Sequence, residues 1–157
     1  MILYHQMDEI ISSVFVGDAI SARHTGDKIK RVVNAGQLKN LANVPEADYL
    51  RVEIDDTGSH QDLHAFHDAI PAFLKFMDEA DPKEKPVLIH CQLGVSRSCS
   101  LMIVYLLAKN VCDTVDEAID YIQKKRSVAF INRRYVYRGV IKEWVSRQRK
   151  SRDLEDI

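Results

Sequence analysis

Cys91, Arg97 and Ser98 stand within one short run, His90-Cys91-Gln92-Leu93-Gly94-Val95-Ser96-Arg97-Ser98. A free thiol titrates near pH 8.5, at about one unit above neutrality or more, and only its thiolate is a good nucleophile. The flanking residues address that problem. Val87, Leu88 and Ile89 read as a short buried strand, and Cys99 to Ala108 is almost wholly apolar. A strand, a polar loop and then a helix bring backbone N–H groups and a helix N-terminus round one point, which attracts an anion. A cysteine opening that loop and an arginine closing it favour the thiolate. Arg97 can clasp two oxygens of a phosphate through its planar fork, as a lysine cannot. Gly94 lets the loop bend so that its amides point inward, and the Ser98 hydroxyl can reach back to stabilise the sulfur as it departs. Most cysteines are inert packing residues, but His90, Gly94, Arg97 and Ser98 at these offsets argue against that here. Sulfur transfer, phosphate binding and phosphate-ester hydrolysis all remain open on this loop alone.

The elements that must hold the loop follow from patterning. Ile11 to Val16 reads as a strand turned by Gly17 and Asp18, and Arg31 to Asn34 as a second. Tyr49 to Ile54 alternates apolar and polar residues, and Val87 to His90 completes four strands. Separated by helical segments, they predict an α/β fold. Leu63, Phe66, Ile70, Phe73, Leu74 and Met77 predict a helix over about residues 60–80, which Pro71 should kink or split. Apolar on all sides, the segment from Cys99 to Ala108 predicts a central buried helix. Thr114 and Glu117 form a capping box for the next, which Lys124, Lys125 and Arg126 end on the side the helix dipole favours. A last helix should start near Arg133, with Tyr137, Val140, Ile141, Trp144 and Val145 on one face.

Composition sets the limits. The chain has 157 residues, 46% of them hydrophobic and 29% charged, with a net charge of −1. This is one soluble domain with a substantial core, expected over residues 1–150, followed by a charged, frayed tail over 151–157. Near-zero charge gives no bulk case for nucleic acid, and no apolar run is long enough for a membrane span. Three cysteines without regular spacing make no disulfide framework, and a reducing compartment suits a thiolate. A cytoplasmic location is expected, with the basic run Arg147 to Arg152 as a nuclear-targeting or docking candidate against its plainer reading as a solvated helix end.

The run from His90 to Ser98 resembles the H-C-x5-R-[S/T] signature of cysteine-dependent protein phosphatases, and G-x-S-R-S is similar to the dual-specificity branch. The resemblance implies a small mixed, largely parallel sheet flanked by helices. It further implies hydrolysis through a phosphocysteine intermediate, with no metal or cofactor. Cys91 would be the nucleophile, with Gln92, Leu93, Gly94, Val95, Ser96 and Arg97 holding the phosphoryl group. Aligned on Tyr49 and Leu50, the resemblance makes Asp56 the general acid and Asp55 the fallback. His90 becomes an organiser of the loop rather than a proton donor. Asn132, where relatives carry a Pro-Asn after a pair like Arg126-Ser127, becomes a loop support.

Relatives acting on inositol lipids carry lysines inside the loop, whereas Gln92, Leu93 and Val95 add no charge. Phosphoproteins therefore fit better as partners, with phosphotyrosine and phosphoserine or phosphothreonine both admitted by a shallow cleft. Leu93 stands where alanine is common and enlarges the rim. The alternatives are a 5′-RNA or carbohydrate phosphatase on the same fold, a non-catalytic phosphate-binding module, and a sulfurtransferase. Two further patterns are set aside. His60, His64 and His67 share a zinc-compatible helix face, but no carboxylate or cysteine completes the set. Cys99 could form a disulfide with Cys91 on oxidation, though packing explains it more simply. Oligomeric state is not legible.

Overall fold

Val87–His90 (β5), fully buried along its whole length, lies at the centre of a five-stranded sheet. The structure is a computed structural model and describes residues 7–36, 39–55, 59–131 and 140–155. Asp56, Asn132 and Tyr137 lie outside the described residues. Met7–Ile11 (β1), Val14–Gly17 (β2), Arg31–Asn34 (β3) and Tyr49–Arg51 (β4) make up the rest, in the order β1-β2-β5-β3-β4. Strands β2, β5, β3 and β4 run parallel, and β1 returns antiparallel at the edge. The fold is thus α/β with a mixed, largely parallel sheet. Gly17 and Asn34 flank His90 in register on either side. The loop that starts at Cys91 therefore leaves the carboxyl ends of three parallel strands, where open α/β sheets hold their ligands.

The sheet's two faces follow from side-chain alternation. Val14, Val16, Val33, Val87 and Ile89 face the main core with Phe66, Ile70, Phe73 and Leu101. Phe15, Val32 and Leu88 face a smaller cluster with Ala22 and Ile29. A short helix, Ala19–Arg23 (α1), is capped by Asp18, which accepts from the Ser21 amide at 2.8 Å. On the main face lie His60–Asp78 (α2), Arg97–Ala108 (α3), Val115–Lys125 (α4) and Val140–Glu155 (α5). Every residue of α3 from Ser98 to Leu107 is buried, as its apolar circumference requires. It ends at Ala108, and Asn110 just beyond it takes a left-handed φ of 58°. The Thr114 hydroxyl accepts from the Glu117 amide at 3.1 Å, while Glu117 Oε2 reaches one residue further back, to the Asp113 amide at 3.0 Å.

Three expectations change. The single strand read over Ile11 to Val16 is instead the end of β1, a tight turn and most of β2 in a hairpin. Ser12 and Ser13 interrupt it, Ser13 at φ 64°, and its amide is satisfied by Glu9 Oε2 at 3.0 Å. Helix α2 runs unbroken through Pro71, which is exposed, because Phe66, Ile70, Phe73 and Met77 on the opposite face anchor both halves to the core. The charged C-terminal run is helical to Glu155. Ile141 anchors α5 in the core, and Arg147, paired within the helix with Glu143 at 2.6 Å, reaches His67 of α2 at 3.2 Å.

Candidate functional site

The loop between β5 and α3 is built from the outside inward. Five successive carbonyls, Gln92 to Ser96, are each taken by a donor from the surrounding protein. The Gln92 carbonyl accepts from the Ala19 amide at 3.0 Å and the Val95 carbonyl from the Phe130 amide at 2.8 Å. The Gly94 carbonyl accepts from Arg126 Nε at 2.7 Å, and the Leu93 carbonyl from Arg126 Nη2 at 3.5 Å. The Ser96 carbonyl accepts from the amide and the hydroxyl of Ser100, at 2.8 and 2.9 Å. Across a trans peptide the N–H points opposite to the C=O. Turning these carbonyls outward therefore turns the amides of Leu93, Gly94, Val95, Ser96 and Arg97 inward. They join the first turn of α3, whose amides have no partner within the helix. The result is an anion cradle made of backbone.

Cys91 sits at its floor, 2% exposed. Its Sγ accepts from the Gly94 amide at 3.2 Å and lies 3.3 Å from the Ser98 hydroxyl. Both contacts stabilise negative charge on sulfur. Gly94 cannot be replaced without strain. Its φ is +68°, and an added Cβ would fall 2.6 Å from the Gly17 backbone and 2.7 Å from Arg126 Nη2. Arg97 Nη1 donates to the Ile54 carbonyl at 2.8 Å, and the Val52 amide donates to the Asn34 carbonyl at 2.7 Å. The guanidinium thus braces the segment that follows β4, on which Asp55 is exposed. Asp56 comes next and lies outside the described residues, as does Asn132.

His90 is fully buried. Burial lowers its pKa, against smaller upward pulls from the Cys91 carbonyl and from Asp18. Its Nδ1 lies 3.1 Å from the Cys91 carbonyl. A carbonyl only accepts, so Nδ1 carries the proton of a neutral ring. Cys99 has the opposite chemistry to a nucleophile. Burial first, then the neighbouring Cys91, push its thiol up to about 12. It stays protonated and points at the Gly94 carbonyl, 3.7 Å away. Among the described residues no group of three or more histidines, cysteines or carboxylates is placed to hold a metal. His60 Nε2 meets His64 Nε2 at 3.1 Å, while His67 turns to Arg147.

Two site residues escape sequence reasoning. Arg126, read as a helix-dipole cation at the end of α4, instead turns its 3%-exposed side chain onto the loop and pairs there with Asp8 at 2.8 Å. The long reach from strand β1 leaves no local signal.

The model of the family described as dual specificity phosphatase, catalytic domain, matches residues 14–146. The chain belongs to the dual specificity phosphatase family. It is 31% identical over 127 residues to tyrosine-protein phosphatase yvh1 of Schizosaccharomyces pombe, covering 78% of this chain and 37% of that one. It is 31% identical over 134 residues to dual specificity protein phosphatase 13B of Homo sapiens, covering 79% and 66%. With putative tyrosine phosphatase 123R of Invertebrate iridescent virus 6 it shares 26% over 129 residues, covering 82% and 85%. The match thus spans less than two thirds of the yeast and human relatives but most of the viral one. Among solved structures, Cydia pomonella PTP-2 phosphatase superposes with a TM-score of 0.69 at 25% identity, covering 84% of this chain and 86% of that one. Human DUSP28 gives 0.69 at 20%, covering 85% and 89%, and shares the fold. Among the described residues, no helix is long and apolar enough to cross a membrane.

Proposed function

We propose that this dual specificity phosphatase domain hydrolyses phosphotyrosine and phosphoserine or phosphothreonine esters of proteins. The observation that carries the reading is Cys91 Sγ at the floor of an amide cradle, with Ser98 Oγ at 3.3 Å and the Gly94 amide at 3.2 Å. In the first step the Cys91 thiolate attacks phosphorus in line, the S–P bond forms and the ester P–O bond breaks. Arg97 and the amides of Gln92 to Arg97 hold the equatorial oxygens as charge redistributes. Asp56 gives its proton to the departing oxygen. In the second step water attacks phosphorus, Asp56 carboxylate takes the water's proton, and the P–S bond breaks to release inorganic phosphate. Ser98 donates to the departing sulfur, and His90 and Asn132 support the loop. Arg97 and the loop amides supply the positive charge the reaction needs, so the scheme calls for no metal or cofactor.

The uncharged loop residues Gln92, Leu93 and Val95 favour phosphoproteins over polyanionic inositol lipids, and near-neutral net charge gives nucleic acid or a membrane surface no bulk attraction. A reducing cytoplasm suits the thiolate and a signalling role, with Arg147 to Arg152 as the candidate nuclear address.

The test is turnover of a small aryl phosphate in excess chelator, alongside phosphopeptides, 5′-phosphorylated RNA and inositol phosphates. Activity is expected to survive chelation and to vanish in Cys91→Ser. Loss in chelator, or persistence in Cys91→Ser, refutes the scheme. Asp56→Asn should cost on the order of 10²–10⁴ in rate with substrate binding retained, and an unchanged rate moves the role to Asp55.

A further inference from the structure

The described residues expose five large hydrophobic side chains: Ile20 at 54%, Leu93 at 69%, Val111 at 43%, Val128 at 55% and Phe130 at 80%. Scattered apolar exposure is ordinary, whereas clustering at one place marks an interaction site. Four of these five belong to the catalytic loop or stand within two residues of a group bonded to it. Leu93 belongs to it. Ile20 follows Ala19, whose amide binds the Gln92 carbonyl. The Phe130 amide binds the Val95 carbonyl, and Val128 lies between Phe130 and Arg126, which clamps the loop. Val111 alone sits at the far end of α3.

These bonds fix the backbone that carries Ile20 and Phe130. Ile20 is on a helix capped by Asp18, and Phe130 is fixed by its own N–H at 2.8 Å. An aromatic ring at 80% exposure buries little against its own fold and keeps most of its apolar surface open to an incoming group. Beside a cradle that swallows only the phosphoryl group, the next atoms to arrive are the substrate's neighbouring side chains.

We propose that Ile20, Leu93, Val128 and Phe130 form an apolar collar round the phosphate cradle that selects phosphopeptides with hydrophobic residues flanking the phosphoresidue. The inference rests on the protein-phosphatase reading and supplies its substrate class. An apolar side chain buried against the collar strengthens recognition, whereas an acidic one must give up water to lie against these apolar groups.

The experiment compares kcat/KM for one phosphotyrosine peptide with leucine, serine or glutamate on both sides, using wild type, Phe130→Ser and Ile20→Ser/Phe130→Ser. Wild type is expected to favour the leucine peptide over the glutamate peptide by about tenfold, the effect of burying one or two apolar groups. The double variant should shrink that ratio to about twofold while hydrolysing a small aryl phosphate at the wild-type rate. Equal turnover of the three peptides by wild type, or a preference that survives in the double variant, overturns the collar alone. Hydrolysis of aryl phosphate with no turnover of any peptide overturns the protein-phosphatase reading beneath it. Sedimentation with phosphatidylcholine and phosphatidylserine vesicles completes the test. Vesicle binding that is lost in the double variant, with no peptide preference in wild type, reassigns the collar to a lipid surface.

Discussion

Asp8 Oδ2 and Arg126 Nη1, 118 residues apart in the chain, meet at 2.8 Å behind the catalytic loop. The same guanidinium holds the Gly94 and Leu93 carbonyls, so one buried cation fixes the outward direction of two peptide groups and the inward direction of the amides that follow them. Asp8 orients and neutralises it.

Arg126 is therefore a positioning residue. Arg126→Met should lower kcat/KM for an aryl phosphate by about 10–100-fold, since each carbonyl left without a donor costs about 1–3 kcal/mol. Affinity for inorganic phosphate as a competitive inhibitor should fall in parallel. Asp8→Asn keeps the shape and removes the charge, and should give a smaller loss of the same kind. A change confined to melting temperature would mean that the clamp supports the fold and not the cradle.

Gly94→Ala tests the close approach of loop and strand. Positive φ and the Gly17 backbone both oppose a Cβ, at a combined cost of about 1–3 kcal/mol in folding. The expected enzyme is folded at low temperature, melts earlier and has lost most of its phosphate affinity. Normal kinetics in this variant would show that the loop tolerates rearrangement.

The buried His90 gives stability a pH dependence. Its folded pKa is lowered from 6.5, chiefly by burial. Below about pH 6.5 the unfolded chain takes up a proton that the native ring refuses, so stability falls as the pH drops and is complete above that range. Melting temperatures between pH 8 and 5 should decline more steeply in wild type than in His90→Asn. Parallel curves would remove His90 as the source.

Thiol reactivity separates the two cysteines of the site. Iodoacetate, an anion, should alkylate Cys91 at neutral pH with parallel loss of activity. Cys99, its thiol pushed up to about 12 by burial, should label only after unfolding. Peptide mapping distinguishes them, and native labelling of Cys99 at a matching rate would refute its role as a sealed hydrogen-bond donor.

The loop was legible because its logic is local: nucleophile, bend, cation and helix start follow one another from Cys91 to Ser98. The central burial of α3 was legible for the same reason, in a circumference without a polar side. What escaped depends on distance in the chain. The Ser12–Ser13 hairpin looked like one strand because apolar residues flank it on both sides. Pro71 looked like a break because its exposed position cannot be known until the helix is docked. Arg126 looked like a surface cation because nothing beside it in sequence announces Gly94 or Asp8. Phe130, exposed next to the cradle, had no reading of its own.

Helix α3 leaves little room for drift. Its first turn lines the cradle and the rest is enclosed on all sides, so a substitution that shifts the helix within the core displaces the catalytic amides along with it. Such core variants should lose turnover before they lose their fold. Altered substrate choice is then expected to arise through the collar residues Ile20, Val128 and Phe130, where side chains can change without moving the amides.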